Sequence, residues 1–273
     1  MIDKRKTMKI NYFLLLSLLI SGCSHIVRTP AKDDSSISTV CLSDSKQSTE
    51  VDLYWKLESG EAKGQTLEDI CQISINSIRP TQFAVGMIEV QRKVENLFSL
   101  NESKLNKYLK KNPEPVVIGP KGEFYIIDHH HLARALSEIG VKSTYAIILE
   151  TWLGQDEEKF WAYMKDKNWT YLYDNGVEKT YKDLVKIKTV KDLKDDPYRT
   201  LAGQTRCKSE EKCTEGQWLK RPVPFIEFLW ADHFRKTPSI AQALKDYGNH
   251  DFSKVTEAAT FEVKRLNGIL PSR

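Results

Sequence analysis

Several features that would assign this 273-residue chain to a familiar class are missing. The apolar run near its start, Tyr12 to Ile20, is too short to cross a membrane as a helix. No internal repeat is visible, which sets aside solenoids and propellers. No C-x-x-C pair or partnering histidine spacing supports a zinc site. No concentrated cationic stretch stands out, and tight, sequence-independent DNA binding normally needs one. A formal charge of +4 sounds basic, but residues 1–22 hold Lys4, Arg5, Lys6 and Lys9 against one acid, Asp3. A chain beginning at Cys23 keeps 37 basic and 36 acidic groups, a net of +1. Stable DNA binding is therefore not expected.

What is present at the N-terminus is ordered: basic residues, then the apolar run, then small residues. That order reads as a secretory signal over residues 1–22, with Met8 as an alternative start. Ile20-Ser21-Gly22-Cys23 resembles the bacterial lipobox, which implies lipidation of Cys23 and a lipid anchor. Ser24 follows the cysteine where an aspartate would favour inner-membrane retention, so the resemblance favours a periplasm-facing protein on the outer membrane. Residues 23–50 are rich in Ser, Thr, Asp and Lys and read as a tether. Val51 to Leu57 alternates as a strand would.

Four cysteines remain beyond Cys23, an even count that suggests disulfides in an oxidising envelope, with three connectivities open. Cys207 and Cys213 flank a short polar loop and are expected to pair. Cys41 and Cys71 pair by remainder.

The chain is organised around residues 123–136. After the turn signal Pro120-Lys121-Gly122, Phe124 to Ile127 form an apolar run of strand length. From Asp128 the pattern becomes helical, with Leu132, Ala135, Leu136 and Ile139 on one stripe and Gly140 at the stop. Asp128 is thus expected to cap the helix. His130, His131 and Arg134 are expected on the opposite face, beside a helix N-terminus suited to an anion. Three of the six histidines fall in this one run.

Around this stretch the expected elements are a strand through Ile73, Ile75 and Ile78, helices over 86–98 and 103–110, a strand at 116–118, and a strand at 144–149. The fold class is α+β: a small mixed sheet with helices over residues 51–152, then a mainly helical region over 153–273. In that second region Phe160, Trp161 and Met164 recur at helical spacing and read as core.

Residues Ile126 to Ala135 resemble the second motif of the ParB/sulfiredoxin superfamily. Arg134-Ala135 match the end of the ParB pattern. Asp128, His130 and His131 match the archaeal ADP-dependent free serine kinase, with His129 where that family has glycine and Leu132 where it has arginine. The whole pattern is most similar to the ParB-like nuclease branch, whose first motif Pro80 to Val90 resembles. The kinase's catalytic glutamate, two past the proline, is Gln82 here, which cannot take a proton in that role. Sulfiredoxin chemistry needs a cysteine in the motif, and positions 126–131 hold none.

The resemblance implies phosphoester chemistry on a nucleotide or nucleic acid fragment. In that reading His130, His131 and Glu89 move protons, while Asp128, His129 and Arg134 bind phosphate. Gln82, Asp196, Arg199, Glu227 and Asp232 are supporting candidates, the last four from segments that resemble further motifs of the branch. A divalent metal such as Mg is compatible with these carboxylates, but no strong ligand pattern demands one. A second reading is a lipoprotein that binds a phosphorylated or anionic small ligand without turnover. Expressed from its own start in a bacterium, the protein should fractionate with membranes. Cys23→Ser should leave it uncleaved or soluble; unchanged fractionation with no lipid on the N-terminal peptide would contradict the anchor.

Overall fold

Gly122 takes a left-handed backbone (φ 84°), and its N–H bonds the Gly119 carbonyl at 3.0 Å, closing the turn predicted at Pro120 to Gly122. That turn joins two strands, β3 (Glu114–Ile118) and β4 (Phe124–Ile126), as an antiparallel hairpin. The computed structural model describes residues 70–207, 213–219, 223–247 and 252–269. The signal segment, the tether, Cys23, Cys41 and the 51–57 strand all lie outside them, as does Gly248-Asn249, where the sequence predicts a break between two helices over 237–266.

The hairpin sits inside a five-stranded mixed sheet with β1 (Ile70–Ser74), β2 (Ile78–Pro80) and β5 (Ser143–Thr151), in the order β1-β5-β3-β4-β2. β5 runs antiparallel to β1 and parallel to β3, and β2 runs parallel to β4. β3 is buried along its whole length, as a central strand covered on both faces should be. Its alternation divides the core. Val116 and Ile118 pack with Val90 and Leu97 of α1 (Met87–Phe98), Leu105 and Leu109 of α2 (Glu102–Lys111), and Leu132 and Leu136 of α3 (His130–Glu138). Val117 faces the other way, onto Phe160, Trp161 and Met164 of α4 (Glu157–Asp166). Those three residues are core, as their spacing predicted.

One expected element is corrected. Ile73, Ile75 and Ile78 do not share a strand: β1 ends at Ser74, a 3₁₀ turn covers Ile75–Ser77, and β2 begins at Ile78. The Ser74 hydroxyl accepts from the Asn76 N–H, and Ser77 Oγ donates to the Ser74 carbonyl. Short hydroxyl side chains thus take over backbone groups that a continuous ladder would use. The break lets β1 and β2 occupy opposite edges of the sheet.

Beyond residue 180 the chain is mainly helical: α5 (Pro197–Gln204), α6 (Ile226–Lys236), α7 (Pro238–Tyr247) and α8 (Ser253–Arg265). Leu201, Trp218, Trp230, Phe234, Ile240, Val255 and Val263 form their common core. Cys207 and Cys213 are joined by a disulfide, with Cα atoms 5.1 Å apart, as their spacing predicted. Cys71 is also disulfide-bonded.

α5 is seated on α1 through glycine. A Cβ on Gly86 would lie 2.6 Å from Thr200 Oγ1 and 2.9 Å from the Thr200 backbone nitrogen. Because the obstruction includes backbone, Gly86→Ala should cost about 1–3 kcal/mol, the range for overpacking. Urea unfolding checks this, and a variant as stable as the wild type would show that the two helices do not depend on this approach.

Candidate active site

Beyond β4 the chain turns sharply into α3, and the turn opens on a cleft of about 610 Å³. The helix is not capped as expected. Its N-cap is His129, in a left-handed conformation (φ 61°, ψ 18°) with no side-chain cap, while Asp128 Oδ1 accepts from the His129 N–H at 2.6 Å. The physical reason is this tight local bond, which spends that oxygen one residue short of the helix. Glycine takes such a backbone freely and a side chain costs about 1–2 kcal/mol there. The His129 side chain itself makes no capping bond to the first N–H groups of α3.

The three histidines have three different environments. His130 is buried; its Nε2 accepts from the Thr81 N–H at 3.1 Å, and burial lowers its pKa to about 4. It pins the loop after β2 and has no lone pair on that nitrogen for catalysis. His131 Nε2 lies 3.2 Å from the Gly86 N–H and 3.1 Å from Glu89 Oε2. Burial lowers the His131 pKa to about 3 and raises that of Glu89. One nitrogen can accept from Gly86 or donate to Glu89, not both. Burial keeps the imidazole neutral, and the contact with Glu89 needs one proton on either Nε2 or Oε2. His129 Nδ1 is 3.4 Å from Glu114 Oε2. Burial is the largest influence and lowers the His129 pKa, but Glu114 and Asp128 together outweigh it and the net shift is upward.

Arg134 is placed away from this cleft, contrary to its expected phosphate role. Its guanidinium bonds the carbonyls of Lys191 and Leu193 and the Glu138 carboxylate, so all its reach is spent tying α3 to the 190–193 turn. Asp196 instead caps α5 and pairs with Arg235 at 2.8 Å, and Asp232 accepts from the Tyr171 hydroxyl at 2.8 Å. Neither is among the cleft's lining residues. Gln82 does line it, with its amide nitrogen donating to the Ala84 carbonyl at 2.7 Å.

Arg199 and Glu227 are brought into the cleft wall. The Glu227 carboxylate accepts from Arg199 with one oxygen and from Arg206 with the other. Arg199 is 7% exposed, and its Nε and Nη1 have no hydrogen-bond partner among the described residues. Lys93 and Lys167 also line the cleft. Three functional candidates were missed in the sequence: Lys93, Arg206 and Glu114. Lys93 stands four residues after Glu89 on α1, a spacing that would have placed both on one face. Glu114 between Pro113 and Pro115, opening an apolar strand, was a visible anomaly. Arg206 carries no signal beyond adjacency to Cys207. Among the described residues no group of three or more His, Cys, Asp or Glu could hold a metal ion.

This sheet, turn and cleft define a domain of the ParB/sulfiredoxin type with added C-terminal helices. A family model described as "Putative ParB-like nuclease" matches residues 71–236, and the chain belongs to that family. The crystal structure of protein Atu1540 from Agrobacterium tumefaciens is similar at 32% identity and a TM-score of 0.60, covering 74% of this chain and 96% of that one. No curated protein matches the chain.

The pH dependence of His130 follows from its sign. Its folded pKa lies below the unfolded value of about 6.5, so neutral burial contributes stability that is present above 6.5 and lost as pH falls toward about 4. His130→Gln, which removes this dependence, should differ most from wild type near pH 7. The gap should shrink by up to about 2 kcal/mol at pH 5. Urea midpoints at both pH values check it; a gap that widens on acidification would contradict neutral burial.

Proposed function

We infer that this protein is a phosphoester hydrolase of nuclease type, acting on a nucleotide or small nucleic acid fragment. The observation that carries the reading is the Glu89–His131 pair, 3.1 Å apart in the wall of a cleft also lined by Lys93, Lys167, Arg199 and Arg206. Water bound near the pair gives up its proton to it as the oxygen attacks phosphorus. The Arg199 guanidinium in the cleft wall and the start of α3 receive the phosphoryl oxygens, with Asp128 and His129 shaping that turn. The near balance of charge over the chain favours small or single-ended substrates over duplex DNA. The lipobox resemblance at Cys23 supports an envelope location, lipid-anchored and facing the periplasm.

Turnover of nitrophenyl phosphodiesters and of nucleotides, with and without Mg, tests this. Glu89→Gln and His131→Ala should each lower turnover by about 10²–10⁴-fold with small effects on binding. Arg199→Ala should instead weaken binding of the phosphate-bearing ligand by about 1.5–3 kcal/mol. A wild type that turns nothing over, with all three variants acting on affinity alone, would establish a binding protein in place of an enzyme.

A further inference from the structure

A second carboxylate–imidazole pair, of which His129 lines the cleft and Glu114 lies buried behind it, is not used by the hydrolytic step above. Glu114 opens β3 and is 0% exposed, and neither of its oxygens has a hydrogen-bond partner among the described residues. A bare carboxylate in the interior is costly unless a counter-charge stands close. The group that stands close is His129 Nδ1, at 3.4 Å. His129 is held over it by a left-handed backbone that a non-glycine residue rarely adopts, and its side chain keeps 31% exposure at the cleft. Burial raises the pKa of Glu114 and the neighbouring imidazole opposes that rise, so one ring nitrogen faces a buried carboxyl while the ring edge meets the ligand space.

We propose that His129, oriented and kept protonated by the buried Glu114, is the general acid that protonates the leaving-group oxygen. Glu114 is its positioning residue. The inference rests on the hydrolase reading and divides the work of one cleft between two pairs. The water oxygen forms a bond to phosphorus and passes its proton to the Glu89–His131 pair. The bond from phosphorus to the ester oxygen breaks, and that oxygen takes the His129 proton. For a diester the products are the free alcohol and the phosphate monoester, with no other reactant. The two imidazoles are suited to opposite tasks: burial keeps His131 neutral, whereas Glu114 holds His129 toward its charged form. Other charged groups act on the second pair. Asp128 favours the charged imidazole, Lys93 from α1 opposes it, and Tyr108 of α2 lies within the field of Glu114.

A leaving-group comparison tests the assignment. Thymidine 5′-(4-nitrophenyl phosphate) expels a phenolate that needs no proton, whereas a thymidine dinucleotide expels an alkoxide that does. His129→Asn, which tolerates the left-handed backbone, should lose about 10²–10⁴-fold on the dinucleotide and less than about tenfold on the nitrophenyl ester. Glu114→Gln should move the alkaline limb of the wild-type pH–rate profile to lower pH, which a merely structural role would not do. If Glu114→Gln does not fold, the His129→Asn comparison stands alone. Equal losses on both esters, or an unmoved alkaline limb in folded Glu114→Gln, overturn the proton-donor role while leaving the hydrolase reading intact. A wild type that cleaves neither ester overturns both.

Discussion

The Nε2 atom of His131 has one position for a proton and two neighbours that compete for it, and the candidate site depends on that competition. Gly86 offers an N–H from the start of α1, and Glu89 offers a carboxyl one turn further along the same helix. The imidazole comes from α3 and the carboxyl is confined by α5, since a Cβ on Gly203 would collide with the Glu89 side chain. Three helices are thereby fixed against each other at the point where a proton would move. Burial of the pair is what separates it from an ordinary surface contact, because desolvation penalises the imidazolium and the carboxylate together.

The part of the wall formed by Arg199, Arg206 and Glu227 is organised by charge. Two guanidiniums on one carboxylate leave a net positive charge and set the planes of Arg199 and Arg206 through a shared partner. Arg199 also stacks over Phe228, its carbon 4.9 Å from the ring centroid, which fixes the guanidinium while two nitrogens stay unpaired. A buried donor with no acceptor is costly unless a ligand completes it. The αL residues His129 and Phe225, each at the N-cap of a helix and each lining the cleft, mark where the backbone carries strain.

Much of this was legible in the sequence because it is local. The strand-to-helix change at residues 124–139, the turn at Gly122, the core role of Phe160, Trp161 and Met164, and the Cys207–Cys213 bridge all follow from spacing. The failures are equally physical. Ideal helix geometry places Asp128 at the cap and Arg134 at the cleft, but His129 takes the cap position with Asp128 bonded to its N–H, and carbonyls at 191 and 193 hold Arg134. β1 and β2 looked like one strand because Ile73, Ile75 and Ile78 carry the apolar pattern while Ser74 and Ser77 carry the break. Arg206 and Glu114 act through partners far away in the chain, Glu227 and His129, and no periodicity reports such a pairing.

His131 is neutral at the pH where the protein works, with a single proton lying between its Nε2 and Glu89 Oε2. Nitrogen-15 NMR of the imidazole, followed from pH 8 to pH 4 in the folded protein, addresses it directly. The account predicts a neutral ring across the range, with the tautomer balance shifting when Glu89 is replaced by Gln. A His131 ring that titrates at or above about 6.5, the unperturbed value, would contradict it.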